Sequence, residues 1–190
     1  MKRLILVRHT ATLSAPETCH GGGTELALAP TFEHEVEILR KELPSCVTHF
    51  HSSPLRRCEI LARRIDSQAA WQIDPYLAEI HFGEWEGARW DQLSGPALDA
   101  WMDDFVNVHP PGGENTLDVA KRTRSFLDGL GEGTHLAITH GGVIRVLLAD
   151  ILGFPMKNLF QIEIPFGCIV ELSWKFGRWS VERIAPPLAR

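Results

Sequence analysis

Two short apolar runs that break off into histidine constrain this chain most. Leu4 to Val7 leads directly into Arg8-His9, and the run from His135 to Thr139 leads into His140-Gly141-Gly142. An apolar run of this length without alternation fits a strand buried on both faces, and such a strand needs helices on both sides of a parallel sheet. The rest of the sequence supplies them. Phe32 to Leu43 sets Val36, Leu39 and Leu43 on one helical face, with Pro44 as a stop. Leu55 to Ile65 is amphipathic and starts after Ser52-Ser53-Pro54, where proline suits a first turn. Pro96 to Val106, Thr116 to Leu130 and Val143 to Leu152 read as further helices. Val47 to His51, Trp71 to Ile73, Phe160 to Ile164, Ile169 to Trp174 and Trp179 to Ile184 read as strands, the last two joined by a hairpin at Phe176-Gly177-Arg178. Strands alternating with helices predict an α/β three-layer sandwich, with a mostly parallel central sheet flanked by helices.

Length and charge narrow the function. The 190 residues suit one domain spanning 1–190. With 19 basic against 24 acidic residues, the chain has no broad basic field to draw it to nucleic acid or an anionic membrane. Cys19, Cys46, Cys58 and Cys168 form no C-x-x-C pair or metal-ligand run, which fits reduced thiols. The apolar stretch after Lys2-Arg3 is too short for a secretion signal, and none is long enough to span a bilayer. The expectation is a soluble cytoplasmic protein.

Ligands of open α/β sheets bind at the carboxyl ends of the strands, where Arg8-His9 and His140 both fall. Either histidine alone reads as a solvated or capping residue; together they indicate one pocket. Arg56 stands at a helix start, where a cation opposes the helix dipole unless an anion binds, although Arg56 and Arg57 taken alone read as solvated. Gly141 and Gly142 open the next helix and leave its N–H groups free to meet a phosphate oxygen, or simply make a tight turn. Glu79 lies in an aromatic, glycine-rich loop with Glu84 and Glu86, and composition does not choose the general acid among the three.

Five ordered segments carry a family resemblance: Leu6-Val7-Arg8-His9-Thr10, Ser52-Ser53-Pro54-Leu55-Arg56-Arg57, Glu79 to Gly87, Pro111-Gly112-Gly113-Glu114, and Ile138-Thr139-His140-Gly141-Gly142-Val143-Ile144-Arg145. Together they resemble the histidine phosphatase, or phosphoglycerate mutase-like, superfamily across nearly the whole chain. Cys19-His20-Gly21, the stretch holding Asp91, and Pro110 to Glu114 are most similar to its α-ribazole phosphatase branch, of cobalamin biosynthesis.

The resemblance implies a phosphoglycerate mutase-like fold and hydrolysis of a small-molecule phosphate monoester, with no metal or cofactor. His9 would attack phosphorus and become phosphohistidine. Arg8, Arg56 and His140, with the Gly141 backbone, would hold the phosphoryl oxygens, and Glu79 would protonate the leaving alkoxide and later deprotonate water. His9 should be neutral and His140 cationic. Thr10, Cys19 and His20 would touch the substrate. Thr10 stands where the family usually has glycine, and His20 and Gly22 also depart from the branch pattern, which bears on the leaving group more than on the reaction.

Rival readings are weaker. His49-Phe50-His51 puts two histidines on one strand face but lacks a companion ligand cluster. Gly21-Gly22-Gly23 lacks the Gly-Lys-Ser/Thr of a nucleotide loop, and no G-x-S-x-G elbow occurs. A broad-specificity phosphatase or a phosphoglycerate mutase-type enzyme would share the core, but the chain is short for the mutases. A silent module that binds phosphorylated ligands has no need for both a nucleophile and an acid. Trp85, Trp90 and Trp101 read as packing and pocket wall, and Trp174 and Trp179 as a cross-strand pair or a subunit contact, so monomer and homodimer both remain open.

Overall fold

In the computed structural model, residues 1–186 are described; the last four residues of the expected 1–190 domain lie outside them. Strand β1 (Lys2–Arg8) is followed by α1 (Phe32–Glu42), β2 (His49–Ser52), α2 (Arg56–Ile65), β3 (Trp71–Ile73), α3 (Pro96–Asp103), α4 (Thr116–Gly129), β4 (Gly133–Thr139), α5 (Gly141–Leu152), β5 (Ile169–Lys175) and β6 (Arg178–Ala185). The strands form one sheet in the order β3-β2-β4-β1-β5-β6. The first four are mutually parallel, and β5 and β6 add an antiparallel edge.

The apolar runs are buried on both faces, as their lack of alternation requires. From β1, Leu4 and Leu6 pack with Phe126, Leu127, Ile144 and Leu148 of α4 and α5. Ile5 and Val7 point the other way, onto Val36, Leu39 and Leu61 of α1 and α2. Each Leu or Ile so enclosed contributes ~2 kcal/mol through burial, so β1 and β4 anchor both layers.

Local chemistry sets the ends. Asn115 caps α4 by accepting from the Asp118 N–H at 2.9 Å while the Asp118 carboxylate accepts from the Asn115 N–H, a reciprocal capping box. Gly153, at φ 64°, takes the left-handed turn that ends α5. The β5–β6 hairpin closes through Phe176 (φ 52°) and Gly177 (φ 76°), both in the left-handed region that a two-residue turn needs, and Trp174 pairs with Trp179 across it.

Two expectations change. Phe160 to Ile164 is not a strand; Met156–Gln161 forms a 3-10 helix between Pro155 and Pro165, while β5 already occupies the β1 edge that another strand would need. The expected helix from Pro96 stops at Asp103, because Asp104 turns the chain by accepting the Asn107 N–H at 3.2 Å.

Candidate active site

The register of β1 and β4 builds the site. Arg8 lies opposite Thr139, so His9 and His140 leave the sheet side by side, with the His9 N–H bonded to the Thr139 carbonyl at 2.9 Å. On the other side of β4, the Ser53 N–H bonds to the Ile138 carbonyl at 2.9 Å and brings the start of α2 to the same rim. The two imidazoles meet edge to face, with centroids 5.1 Å apart.

His9 is buried, and its Nδ1 lies 2.8 Å from the Thr10 carbonyl. A carbonyl only accepts, so Nδ1 carries the proton and Nε2 keeps a free lone pair. Burial, reinforced by the nearby Arg57 and Arg8 guanidiniums, lowers the His9 pKa to about 3. The imidazole is therefore neutral and nucleophilic at neutral pH.

Arg8 lies over the Phe166 ring at 3.9 Å and donates to the Ile164 carbonyl at 2.5 Å. Burial lowers its pKa to about 10, opposed by Glu79, and it stays cationic at neutral pH. The second guanidinium is not the expected one. Arg56 is exposed, whereas its neighbour Arg57 is 2% exposed. Arg57 donates to the Thr24 carbonyl at 2.7 Å and the Gly21 carbonyl at 3.3 Å. The phase of α2 causes this correction: Arg57 precedes the buried Leu61 by one turn and shares its inward face.

His140 is fully buried, with Nε2 2.7 Å from Ser53 Oγ. Burial, and then the proximity of His9, Arg57, Arg122 and Arg8, press its pKa well below the ordinary histidine value. Burial first, and then the neighbouring cations, therefore favour a neutral imidazole where a cationic His140 was expected.

Glu79 accepts the Gly142 N–H at 3.2 Å, at the N-terminal turn of α5. A Cβ on Gly142 would run into Glu79 Oε1, so glycine is what lets the carboxylate approach. Two flanking segments hold its loop. Gly22 N–H bonds to the Ile80 carbonyl at 2.8 Å, and Glu114 N–H to the His81 carbonyl at 2.7 Å. Gly83 adopts φ 61° against the Pro111 carbonyl, a close approach that no side chain permits.

The same geometry separates the three acids. Glu84 is exposed. Glu86 accepts from Gly23, Phe82 and Thr24, which outweighs burial and lowers its pKa, so its carboxylate latches the loops together. Glu79 alone lines the cavity.

That cavity, about 180 Å³, opens beside Glu79 and is walled by Ile80, Phe82, Trp101, Phe105, Val146 and Phe160, with His20, Arg145 and Thr116 among its polar residues. Arg145 is held through Nε to the Ile162 carbonyl at 2.8 Å. His20 thus lines the cavity beside Glu79, but Cys19 does not. Cys19 is fully buried, its backbone pairs with Ala88 and Gly87, and burial pushes its thiol up to about 12. Gly22 also serves packing, since a Cβ there would meet the Glu79 carbonyl oxygen at 2.5 Å. Thr10 is fully buried beside His9 and meets it through its carbonyl. Gly141 is buried under Arg8, whose Nε would lie 3.1 Å from a Cβ on that glycine. Arg57 and Ser53 are the residues sequence reasoning missed. The i,i+4 match of Arg57 to Leu61 was the available signal for the first; Ser53 left none beyond its place in the motif.

Comparison with known proteins gives the family. Residues 4–186 match the model of the histidine phosphatase superfamily (branch 1), and the chain belongs to that superfamily. It is 30% identical over 185 residues to a protein of Hydrogenobacter thermophilus named as a phosphoserine phosphatase, covering 90% of this chain and 89% of that one. It is 27% identical over 191 residues to the adenosylcobalamin/α-ribazole phosphatase of Escherichia coli, covering 94% of each. The crystal structure of the α-ribazole phosphatase from Shigella flexneri superposes with a TM-score of 0.86 at 24% identity, covering 96% of this chain and 95% of that one, and shows the shared phosphoglycerate mutase-like fold. Among the described residues, no helix is long and apolar enough to cross a membrane.

Proposed function

We propose that this chain hydrolyses a phosphate monoester through a phosphohistidine on His9, with α-ribazole 5′-phosphate as its substrate. One observation carries the reaction. Arg8 Nε, Arg57 Nε, Thr10 Oγ1 and His140 Nδ1 are buried polar atoms without partners, and all belong to residues gathered around His9. Unpaired buried polar groups are costly, and a phosphoryl group brings the oxygens that three of these certain donors lack.

His9 Nε2 attacks phosphorus as the P–O ester bond breaks, and the departing oxygen takes a proton from Glu79. Water then gives a proton to Glu79 and attacks phosphorus, and the P–N electron pair returns to Nε2. Arg8 and Arg57 balance the charge that spreads over the phosphoryl oxygens.

The apolar and aromatic wall of the adjoining cavity favours a large, weakly polar alcohol, which is the support for a ribazole leaving group beyond the Escherichia coli relative. The Arg145 guanidinium in that wall favours a second reading, a carboxylate-bearing ester such as phosphoserine. A metal-free assay of phosphate release from α-ribazole 5′-phosphate, phosphoserine, 3-phosphoglycerate and an aryl phosphate, with wild type and His9→Ala, tests both. The expected result is greatest kcat/KM on the ribazole ester, abolished in the variant. A preference for phosphoserine discards the substrate and keeps the chemistry; release that survives His9→Ala discards the chemistry.

A further inference from the structure

Ser53 approaches His140 Nε2 more closely than the Cys58 thiol does, and can fix which nitrogen of His140 carries its proton. Its hydroxyl is fully buried, with His140 Nε2 at 2.7 Å, the Leu55 N–H at 3.3 Å and the Cys58 thiol as neighbours. A serine hydroxyl offers one proton and two lone pairs. The Leu55 N–H can only donate, so it uses a lone pair. The strong acceptor left for the Ser53 proton is His140 Nε2, since the sulfur of neighbouring Cys58 accepts only weakly. If Nε2 carried hydrogen instead, the buried Ser53 O–H would be left with the Cys58 sulfur, a weak acceptor, in place of a ring nitrogen at 2.7 Å. The Cys58 S–H lies 3.4 Å from Nε2 and has the Thr139 carbonyl at 3.7 Å as its own acceptor.

We infer that Ser53 is a positioning residue, which donates to His140 Nε2 and thereby fixes the neutral Nδ1–H tautomer, so that an uncharged His140 offers one N–H to the phosphoryl group. Its role in phosphoryl transfer rests on the function proposed above; the tautomer does not. Nδ1 is the buried atom of His140 without a partner among the described residues, on a ring whose neighbours include His9, Arg8 and Arg57. With the other tautomer, Nδ1 would present a lone pair to phosphoryl oxygens and repel them. Burial supports the neutral ring, since a second proton on it would add a fourth positive group beside Arg8, Arg57 and Arg122.

The test is two-bond nitrogen–proton correlation NMR on nitrogen-15-labelled protein at neutral pH, with the His140 ring assigned by its loss in His140→Gln. The expected spectrum shows a neutral ring with hydrogen on Nδ1 and a bare Nε2. In Ser53→Ala the ring shifts toward the Nε2–H form, and kcat/KM falls between about 10- and 1,000-fold, the upper bound being loss of a whole donor to the transferring group. Ser53→Thr, which keeps the hydroxyl, restores both. Hydrogen on Nε2 in the wild type overturns the assignment, whether or not the variants fold. An unchanged tautomer in folded Ser53→Ala overturns the role of Ser53. Absence of phosphatase activity in a wild type that shows the Nδ1–H ring, lost in Ser53→Ala, overturns the reading of the reaction and upholds the tautomer.

Discussion

Arg56 and Arg57 are neighbours in the first turn of α2, yet the helix turns the first guanidinium to solvent and the second under the loop that carries Gly21 and Thr24, toward His9. Their substitutions should therefore diverge. Arg57→Ala is expected to lower kcat/KM about 100- to 1,000-fold, the usual cost of removing one preorganised donor from a charge-developing transition state. Arg56→Ala should stay within about threefold, as exposed side chains remote from the chemistry do. Steady-state kinetics on both variants, with circular dichroism to confirm folding, checks this; equal losses would sink the assignment of Arg57.

Gly142→Ala should separate stability from activity. Alanine is the better helix former by ~0.5–1 kcal/mol, so the melting temperature should hold or rise. The new methyl group displaces the Glu79 carboxylate, however, and activity on alkyl phosphates should fall at least tenfold. An aryl phosphate, whose phenolate leaves without a proton, should be affected far less. Equal loss on both substrates would show that Glu79 is not the acid.

Acid stability should follow the buried histidines away from the site. His51 bonds through Nε2 to His135 Nδ1 at 3.1 Å, and His49 stacks on His135 at 4.4 Å. Burial, then the neighbouring His135 and His49, lower the His51 pKa from 6.5 to about 4. Its folded pKa lies below its unfolded one, so the unfolded chain binds more protons in this window. The associated stability is present above pH 6.5 and is lost as pH falls toward about 4, at a slope of no more than ~1.4 kcal/mol per pH unit. Urea unfolding across that range should show a shallower pH dependence for His51→Gln than for wild type, with kcat/KM unaltered at neutral pH.

Trp101 bears on the leaving group. It stacks on Trp90 with centroids 5.9 Å apart and forms part of the cavity wall. Trp101→Ala should raise KM about tenfold for esters with a fused aromatic leaving group, near the upper end for one aromatic pair, and leave KM for phosphoserine nearly unchanged. A uniform rise across substrates would place the tryptophan in general packing.

The sequence made the sheet and its rim legible because burial on both faces imposes an unbroken apolar run, and β1 and β4 each end where that run meets histidine. Arg8, His9, His140 and Gly141 could be located in this way. Arg57 could not be told from Arg56 by residue type, since the difference is one step of helical phase. Nor did composition distinguish Glu79 from Glu86. Glu79 stands between Ala78 and Ile80 and Glu86 between Trp85 and Gly87, uncharged neighbours in both cases, and only the fold sends the Glu86 carboxylate to three local donors. Phe160 to Ile164 has strand composition but no free edge to join, a fact that local sequence does not contain.

Helix α3 carries Trp101 into the cavity wall, yet none of its residues is fully buried. The cavity wall on α3, the leaving-group end under the proposed reaction, is thus lightly rooted in the core, while His9 and His140, its phosphoryl end, are built on the ends of β1 and β4 at the centre of the sheet. Substitutions in α3 can reshape what the protein accepts at small cost to folding, whereas changes at the phosphoryl end disturb the frame itself. Substrate range in this chain is free to drift while its chemistry stays fixed.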